Sequence, residues 1–407
     1  MKTKLKSFFG LPTKVIFCKD CVISNQRPNS VVEMKNTGKK KPTINFGEDQ
    51  QCSACKYNKE KRNINWELRE KELFKLLDPY RSKNGQYDVL VPSSGGKDSS
   101  FTAHLLKYKY GMNPLAITWA PNIFTETGLG NFNSLSKIGG VDSLLYTPNG
   151  KLHSYLTKIA FKNLGHPFQP FVHGQKIIGP SFAKKFGIKL IVYGENQAEY
   201  GNPLNENKNP FMSQTFFSST NPKQILIGGE KISNILKYSK FKYSDFSAYI
   251  PPHPKELKEN NIKVTYLGYF EKWDPQECYY YSVENTGFQP AVERSSGTYS
   301  RYTEIDDKIV PFHFYMTFIK FGIGRATYDA CQEIRNKKIT RNEGVYLVDK
   351  FDGEFPEIYF DEFIKYLDIN REDFYKIVNS FRSPHLWKYY KGKWILRHTV
   401  SKKGFDD

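Results

Sequence analysis

Apolar residues along this chain follow two rhythms. Short unbroken runs sit in 87–91, 114–119, 189–194 and 264–268, each bounded by charged, polar or turn-forming residues. Such runs without polar alternation predict strands buried on both faces. Between them apolar residues recur at helical spacing. Trp66, Leu73, Phe74 and Leu77 follow Asn65, a good N-cap, in a helix through Tyr80. Phe101, Leu105 and Tyr108 mark a helix from Asp98 to Tyr110, and Leu152, Leu156, Ile159 and Ala160 another. Strands alternating with helices predict an α/β fold with a Rossmann-like parallel sheet covered on both faces. Ligands of such sheets bind at the carboxyl ends of the strands, so the exits at Ser94, Trp119 and Gly194 are expected to meet in one crevice. Beyond about residue 275 helical patterns dominate, at 312–321, 327–338, 357–367 and 371–382.

The first strand runs into Ser93-Ser94-Gly95-Gly96-Lys97-Asp98-Ser99-Ser100. Glycines leaving a buried strand let backbone N–H groups converge, and the following helix N-terminus adds positive potential, so this turn is a phosphate cradle. It lacks the glycine spacing of a Walker A loop. Asp98 is placed either to position a metal or to cap the helix. Gly194-Glu195-Asn196-Gln197-Ala198-Glu199 follows the third strand, and its polar groups can receive a nucleotide or the group being activated. Thr118, beside the second exit, and Gly194 join the nucleotide-binding candidates. Lys320 and Arg325 flank Phe321-Gly322-Ile323-Gly324 before a helix expected to be capped by Thr327. They suit neutralisation of a pyrophosphate or a nucleotide-sugar phosphate, or simply a basic turn entering a helix.

Cys18-Lys-Asp-Cys21 and Cys52-Ser-Ala-Cys55 form two CxxC pairs 30 residues apart. Four thiolates at this spacing fit structural zinc, with an iron–sulfur cluster or redox disulfides as the alternatives. A closed four-thiolate shell leaves no open position for a catalytic step. Cys278 and Cys331 lie outside any metal spacing and are expected as small core residues. The eight histidines show no metal-binding spacing, and His166-Pro167 could line a site but reads more readily as a structural turn.

Length changes the picture towards two or three domains, since 407 residues exceed one ordinary core. A net charge of +18 favours polyanionic partners or reflects a solvated lysine-rich surface. No run approaches the roughly 20 apolar residues of a membrane span, and no signal-peptide core is evident, so the expected location is cytoplasmic.

Ser94-Gly95-Gly96-Lys97-Asp98-Ser99 resembles the signature of the PP-loop ATP pyrophosphatases. Added to it are Cys18-Lys-Asp-Cys21-Val-Ile-Ser-Asn-Gln-Arg-Pro28, Thr118-Trp-Ala-Pro121, His166-Pro-Phe-Gln-Pro-Phe171, Tyr193-Gly-Glu-Asn-Gln-Ala-Glu-Tyr-Gly201 and Phe321-Gly-Ile-Gly-Arg-Ala-Thr327. Together these resemble the N-acetyl sugar amidotransferases of bacterial surface-glycan biosynthesis, including the lipopolysaccharide O-antigen and pseudaminic and legionaminic acid pathways. The resemblance implies three parts: a four-cysteine zinc module at 1–62, a PP-loop (HUP-like) ATPase domain at 63–275, and a mostly helical substrate or partner region at 276–407. Lys-rich residues 1–14 look like an extension of no assigned role.

The implied reaction turns an acetamido group of a nucleotide-activated sugar into an acetamidino group through an adenylated intermediate. Ser94, Gly95, Gly96, Lys97, Asp98 and Ser99 would hold pyrophosphate with Mg²⁺. Glu195, Asn196 and Glu199 would hold the adenylate or steer ammonia. No glutaminase signature appears, so ammonia is expected from a partner glutaminase through a cyclase-like conducting subunit, and no nucleic acid is expected. The rival reading is a PP-loop tRNA thiolation enzyme, which needs a persulfide on Cys278 or Cys331. A third is a zinc-dependent RNA-binding or scaffold protein.

Overall fold

The computed structural model describes residues 5–28, 40–201 and 209–402. Five parallel strands form the central sheet: β1 Val89–Pro92, β2 Pro114–Trp119, β3 Asp142–Tyr146, β4 Leu190–Tyr193 and β5 Lys263–Tyr266. Their spatial order is β3-β2-β1-β4-β5. Register places Leu90 beside Leu115 and Ile191, and Ile191 beside Val264. Because side chains alternate across a strand, the unbroken apolar runs feed two cores. Leu90, Leu115, Ile117, Ile191 and Val264 pack on one face with Leu152, Leu156 and Ile178. Val89, Val91, Ala116, Leu190 and Val192 pack on the other with Leu73, Leu77, Leu105 and Leu106.

The expected helices form with shifted ends. Asn65 accepts a hydrogen bond from the Leu68 amide and caps Trp66–Leu77, and a 3₁₀ turn, Asp78–Tyr80, completes the segment. The helix after the glycine turn is Lys97–Tyr108, and the next anticipated one is Gly150–Leu164. The strand expected at 264–268 ends at Tyr266, because Leu267–Phe270 turns helical. The run read as a turn around His166 is brief, and Gln169–Phe186 is a long helix packed on β1 and β2.

The C-terminal region is helical: Val310–Phe321, Arg325–Arg335, Arg341–Phe351, Phe360–Leu367 and Arg371–Ser380, then a hairpin of Trp387–Tyr390 and Lys393–Leu396. Phenylalanines fill its core, with Phe312 stacked on Phe363 at 4.0 Å. Thr327 is not the cap of Arg325–Arg335. Gly324 holds that position, and the Asp352 carboxylate accepts from the Gly324 amide (2.9 Å) and from the Thr327 amide (3.1 Å).

The four-cysteine segment packs onto this region, its cysteines sharing a core with Phe321, Ile323, Ala330 and Cys331. The lysine-rich start is docked too. Phe9 stacks on Phe381 and the Phe8 amide donates to Ser383 Oγ at 2.8 Å. Residues 1–4 of that extension lie outside the described residues. No helix among the described residues is long and apolar enough to cross a membrane.

Candidate active site

Strand order reverses between β1 and β4, and the crevice beyond their carboxyl ends is where an open α/β sheet places a ligand. The turn leaving β1 is shaped by its own serines. Ser93 Oγ accepts from the Gly95 amide at 3.1 Å, and Ser99 Oγ donates to the Gly96 carbonyl at 3.0 Å. Gly95 sits at φ +80°, and a Cβ there would lie 2.7 Å from the Phe132 backbone, so only glycine fits. Gly96 occupies the N-cap and has no side chain to cap with. The amides of Lys97, Asp98 and Ser99 form the first helical turn, which helix geometry leaves without intrahelical acceptors.

Asp98 therefore does not cap the helix. Its Oδ2 pairs with Lys97 Nζ at 2.5 Å, while Oδ1 is buried without a hydrogen-bond partner. Burial pulls the Lys97 ammonium down, but Asp98 foremost, with Cys278 and Glu195, offsets it and the net shift is upward. Glu195 faces the same space from the β4 exit. Burial and then the Asp98 charge push its carboxyl up, and Tyr200 donates to its Oε1 at 3.2 Å. Two carboxylates in mutual repulsion, one with an orphaned oxygen, are a donor set that suits a hard divalent cation such as Mg²⁺.

The other residues of that exit lead elsewhere. Gly194 lets the strand end pass beneath Trp273, whose Cη2 would be 2.8 Å from an added Cβ. Asn196 turns its side chain onto the Ala198 amide and caps a 3₁₀ turn. Glu199 is buried against Lys61 at 2.5 Å, and its carbonyl accepts from Arg335 Nη2 at 2.9 Å. Thr118 is buried within β2. Trp119 does not open onto the crevice as expected, since it packs in the core against Tyr146 and Tyr249.

A cavity of about 330 Å³ opens here, lined by Lys97, Asp98 and Glu195 together with Lys320, Arg325 and Tyr328. Lys320 is buried with Nζ donating to the Leu164 carbonyl at 2.5 Å. Arg325 is paired with Glu304 at 3.1 Å and Asp329 at 2.9 Å. Burial lowers and these two carboxylates raise its pKa, with a net upward shift. Ser94, Gly95, Gly96 and Ser99 shape the turn behind Lys97 and Asp98 rather than lining the cavity.

His166, whose run reads as a turn that could also line a site, does line the cavity, and further wall residues were not singled out from the sequence. His166 and His313 stack at 4.4 Å, and burial, then His166 and Arg325, hold His313 well below the usual imidazole range. Tyr302 and Thr303 also line the cavity, and 304–307 follow directly behind them in sequence. The Tyr302 ring centre lies 5.8 Å from Lys97 Nζ, Glu304 takes a left-handed φ of 58° beside Arg325, and the Asp306 carbonyl accepts from the Thr125 amide at 3.2 Å. Asp307 accepts from the Asn122 amide at 2.6 Å just beyond β2. Arg27 reaches the cavity from the four-cysteine segment.

Cys18, Cys21, Cys52 and Cys55 are all buried, with their sulfurs within 4.8 Å of one another. Cys18–Cys55 and Cys21–Cys52 measure 3.9 and 3.7 Å. Four thiolates around tetrahedral zinc at about 2.3 Å would stand about 3.8 Å apart, so the donor set fits that ion. Arg341 donates to the Cys18 and Cys21 carbonyls, each at 3.3 Å. Cys331 packs in the core shared with these cysteines, and Cys278 lies in the core beneath the loop. Burial and then the Asp98 charge push the Cys278 thiol well up.

Residues 296–400 match the C-terminal domain of WbpG-like LPS biosynthesis proteins. This match agrees with the surface-glycan resemblance of the motifs. Over 110 residues, 27% of the chain, there is 29% identity to an uncharacterized protein of Methanocaldococcus jannaschii. The match spans 39% of that curated relative's length. Among solved structures, an NH3-dependent NAD synthetase from Campylobacter jejuni matches at 15% identity and a TM-score of 0.27, covering 34% of this chain and 59% of that one. A predicted subunit of tRNA methyltransferase from Methanocaldococcus jannaschii matches at 18% and 0.26, covering 48% and 75%. An NMN synthetase from Francisella tularensis matches at 11% and 0.24, covering 49% and 93%. The fold assignment rests on strand order and register, not on these weak likenesses.

Proposed function

We propose that the chain is an ATP-dependent, AMP-forming ligase of surface-glycan biosynthesis that converts the acetamido group of a nucleotide-activated sugar to an acetamidino group. One observation carries this reading. Lys97 and Asp98, which follow the glycine turn, line the same cavity as Arg325 and Tyr328 of the WbpG-like domain.

The acetamido oxygen attacks the α-phosphorus of ATP and pyrophosphate departs. Ammonia then adds to the activated carbon, and the C–O bond breaks to release AMP. Lys97 and the first-turn amides of its helix would stabilise the departing pyrophosphate, where negative charge develops. Asp98 and Glu195 would hold Mg²⁺, which neutralises phosphate charge when bound. Asn196 and Glu199 would act from behind, by fixing the loop that presents Glu195. Ammonia would come from a separate glutaminase through a conducting subunit.

The thiolation reading is less well supported. It needs a persulfide at the cavity, whereas Cys278 and Cys331 both lie in cores and neither lines the cavity. The deciding test incubates the chain with ATP, ammonium and UDP- or CMP-linked acetamido sugars. The expected products are AMP and a sugar in which NH has replaced oxygen by mass. ADP as co-product, or no mass change across the sugar panel, would sink the proposal.

A further inference from the structure

Among the described residues, the cations around the cavity have partners in the protein, with one nitrogen left over. Lys97 pairs with Asp98, Arg325 with Glu304 and Asp329, and Lys338 with Asp274 and Glu277, while Lys320 donates to a carbonyl. Arg27 differs. The residue is only 5% exposed, lines the cavity, and carries a buried Nη1 without a hydrogen-bond partner. Its guanidinium carbon lies 5.5 Å from the centroid of the Tyr328 ring.

The backbone around Arg27 is fixed. Its carbonyl accepts from the Ile44 amide at 2.8 Å, Pro28 bridges Thr43, and the preceding Gln26 side chain meets His385 Nε2 at 3.0 Å. An arginine nitrogen buried without an acceptor carries a desolvation penalty that only an incoming acceptor can relieve. A planar guanidinium set against an aromatic ring is pre-organised to take two oxygens of one anion.

We propose that Arg27 is an anion receptor for the phosphate of the activated sugar's nucleotide carrier, so that the four-cysteine segment contributes a substrate-binding side chain as well as a fold. This rests on the function proposed above. Two placements favour the carrier over ATP. Arg27 enters from a different part of the chain than the glycine turn, and the ring beneath it, Tyr328, belongs to the WbpG-like domain. The ATP phosphates already have Lys97 and the helix N-terminus behind it.

The test is calorimetric titration of the full chain with UDP, CMP and ATP separately, in wild type, Arg27→Gln, Arg27→Lys and Tyr328→Leu. UDP or CMP is expected to bind the wild type, and Arg27→Gln to weaken that carrier by about tenfold or more. Arg27→Lys and Tyr328→Leu should fall between, with ATP affinity unchanged in all three. Unchanged ATP affinity also shows that the variants are folded. The proposal is overturned if neither carrier binds the wild type, if Arg27→Gln binds it equally well, or if ATP affinity falls in parallel. Carrier binding through Arg27 without amidine formation would refute the proposed reaction but keep the receptor. Amidine formation with undiminished carrier binding in Arg27→Gln would do the reverse.

Discussion

Lys61, in the helix Ser53–Lys61 of the four-cysteine segment, forms an ion pair with Glu199 beyond β4 at 2.5 Å, and both side chains are under 5% exposed. Lys61 also donates to the Trp273 carbonyl at 2.5 Å. A pair this deeply buried punishes removal of one partner more than removal of both. Lys61→Met should destabilise the fold by about 3–5 kcal/mol, and adding Glu199→Leu should restore much of that loss. Urea unfolding of the single and double variants measures it, and equal loss in both would show that the pair is not the cause.

Gly95→Ala asks an alanine to adopt φ +80° with its Cβ 2.7 Å from the Phe132 backbone. The turn must shift away from the helix Glu126–Lys137. Stability should fall by about 1–3 kcal/mol. ATP affinity, read by calorimetry, should fall with it. The serine-held turn would be shown tolerant if affinity stayed at the wild-type value.

Metal analysis of the purified chain should find about one zinc per chain, and Cys52→Ser should lose most of it. The cysteines share their core with Ile323, Ala330 and Cys331, so the damage should spread into the helix Arg325–Arg335. The expected reading is a lower thermal midpoint together with weaker nucleotide-carrier binding. Cys278→Ser, in a different core from the cluster, should keep its metal.

Asp307 supplies a pH signature. Burial, only partly offset by amides of Ile309 and Asn122, pushes its carboxyl up to about 7. The unfolded value is near 4. The folded chain therefore holds this proton more tightly, so the group's contribution is present below about pH 4 and is lost as pH rises towards 7. Relative to Asp307→Asn, the wild type should lose stability between about pH 4 and 7, by at most on the order of 3 kcal/mol. Parallel denaturation curves for the two proteins across that range would contradict the assignment.

How much of this was legible depended on how local each feature is. β1, β2 and β4 announce themselves because both faces are buried and their runs are unbroken. β3, Asp142–Tyr146, escaped because it is an edge strand with Asp142 and Leu145 exposed, and its polar start, Asp142-Ser143, leaves only a short apolar run. Gln169–Phe186 escaped because Pro170, Gly174, Gly179 and Pro180 punctuate it, and tertiary packing on the sheet overrides their weak helical preference. The phosphate turn could be read since its parts are contiguous. Arg27, His313 and Glu304 could not, because neither their spacing nor their neighbours in sequence reveal that one cavity gathers them. Glu199 illustrates the opposite error. It belongs to a loop of the right composition, but its carboxylate serves the Lys61 contact behind the wall.

The stretch 296–400 can be recognised by sequence as a unit, yet it is not a self-sufficient body. Leu11, Val22, Ile23, Ile44 and the four cysteines complete the apolar surface under Phe321, Ala330 and Val400, and Phe9 closes over Phe381. Excising those residues would leave an oily, unfinished flank. The two ends of the chain are thus obliged to mature together, and a ribosome that has released only the amino-terminal half has made a part still waiting for its lining.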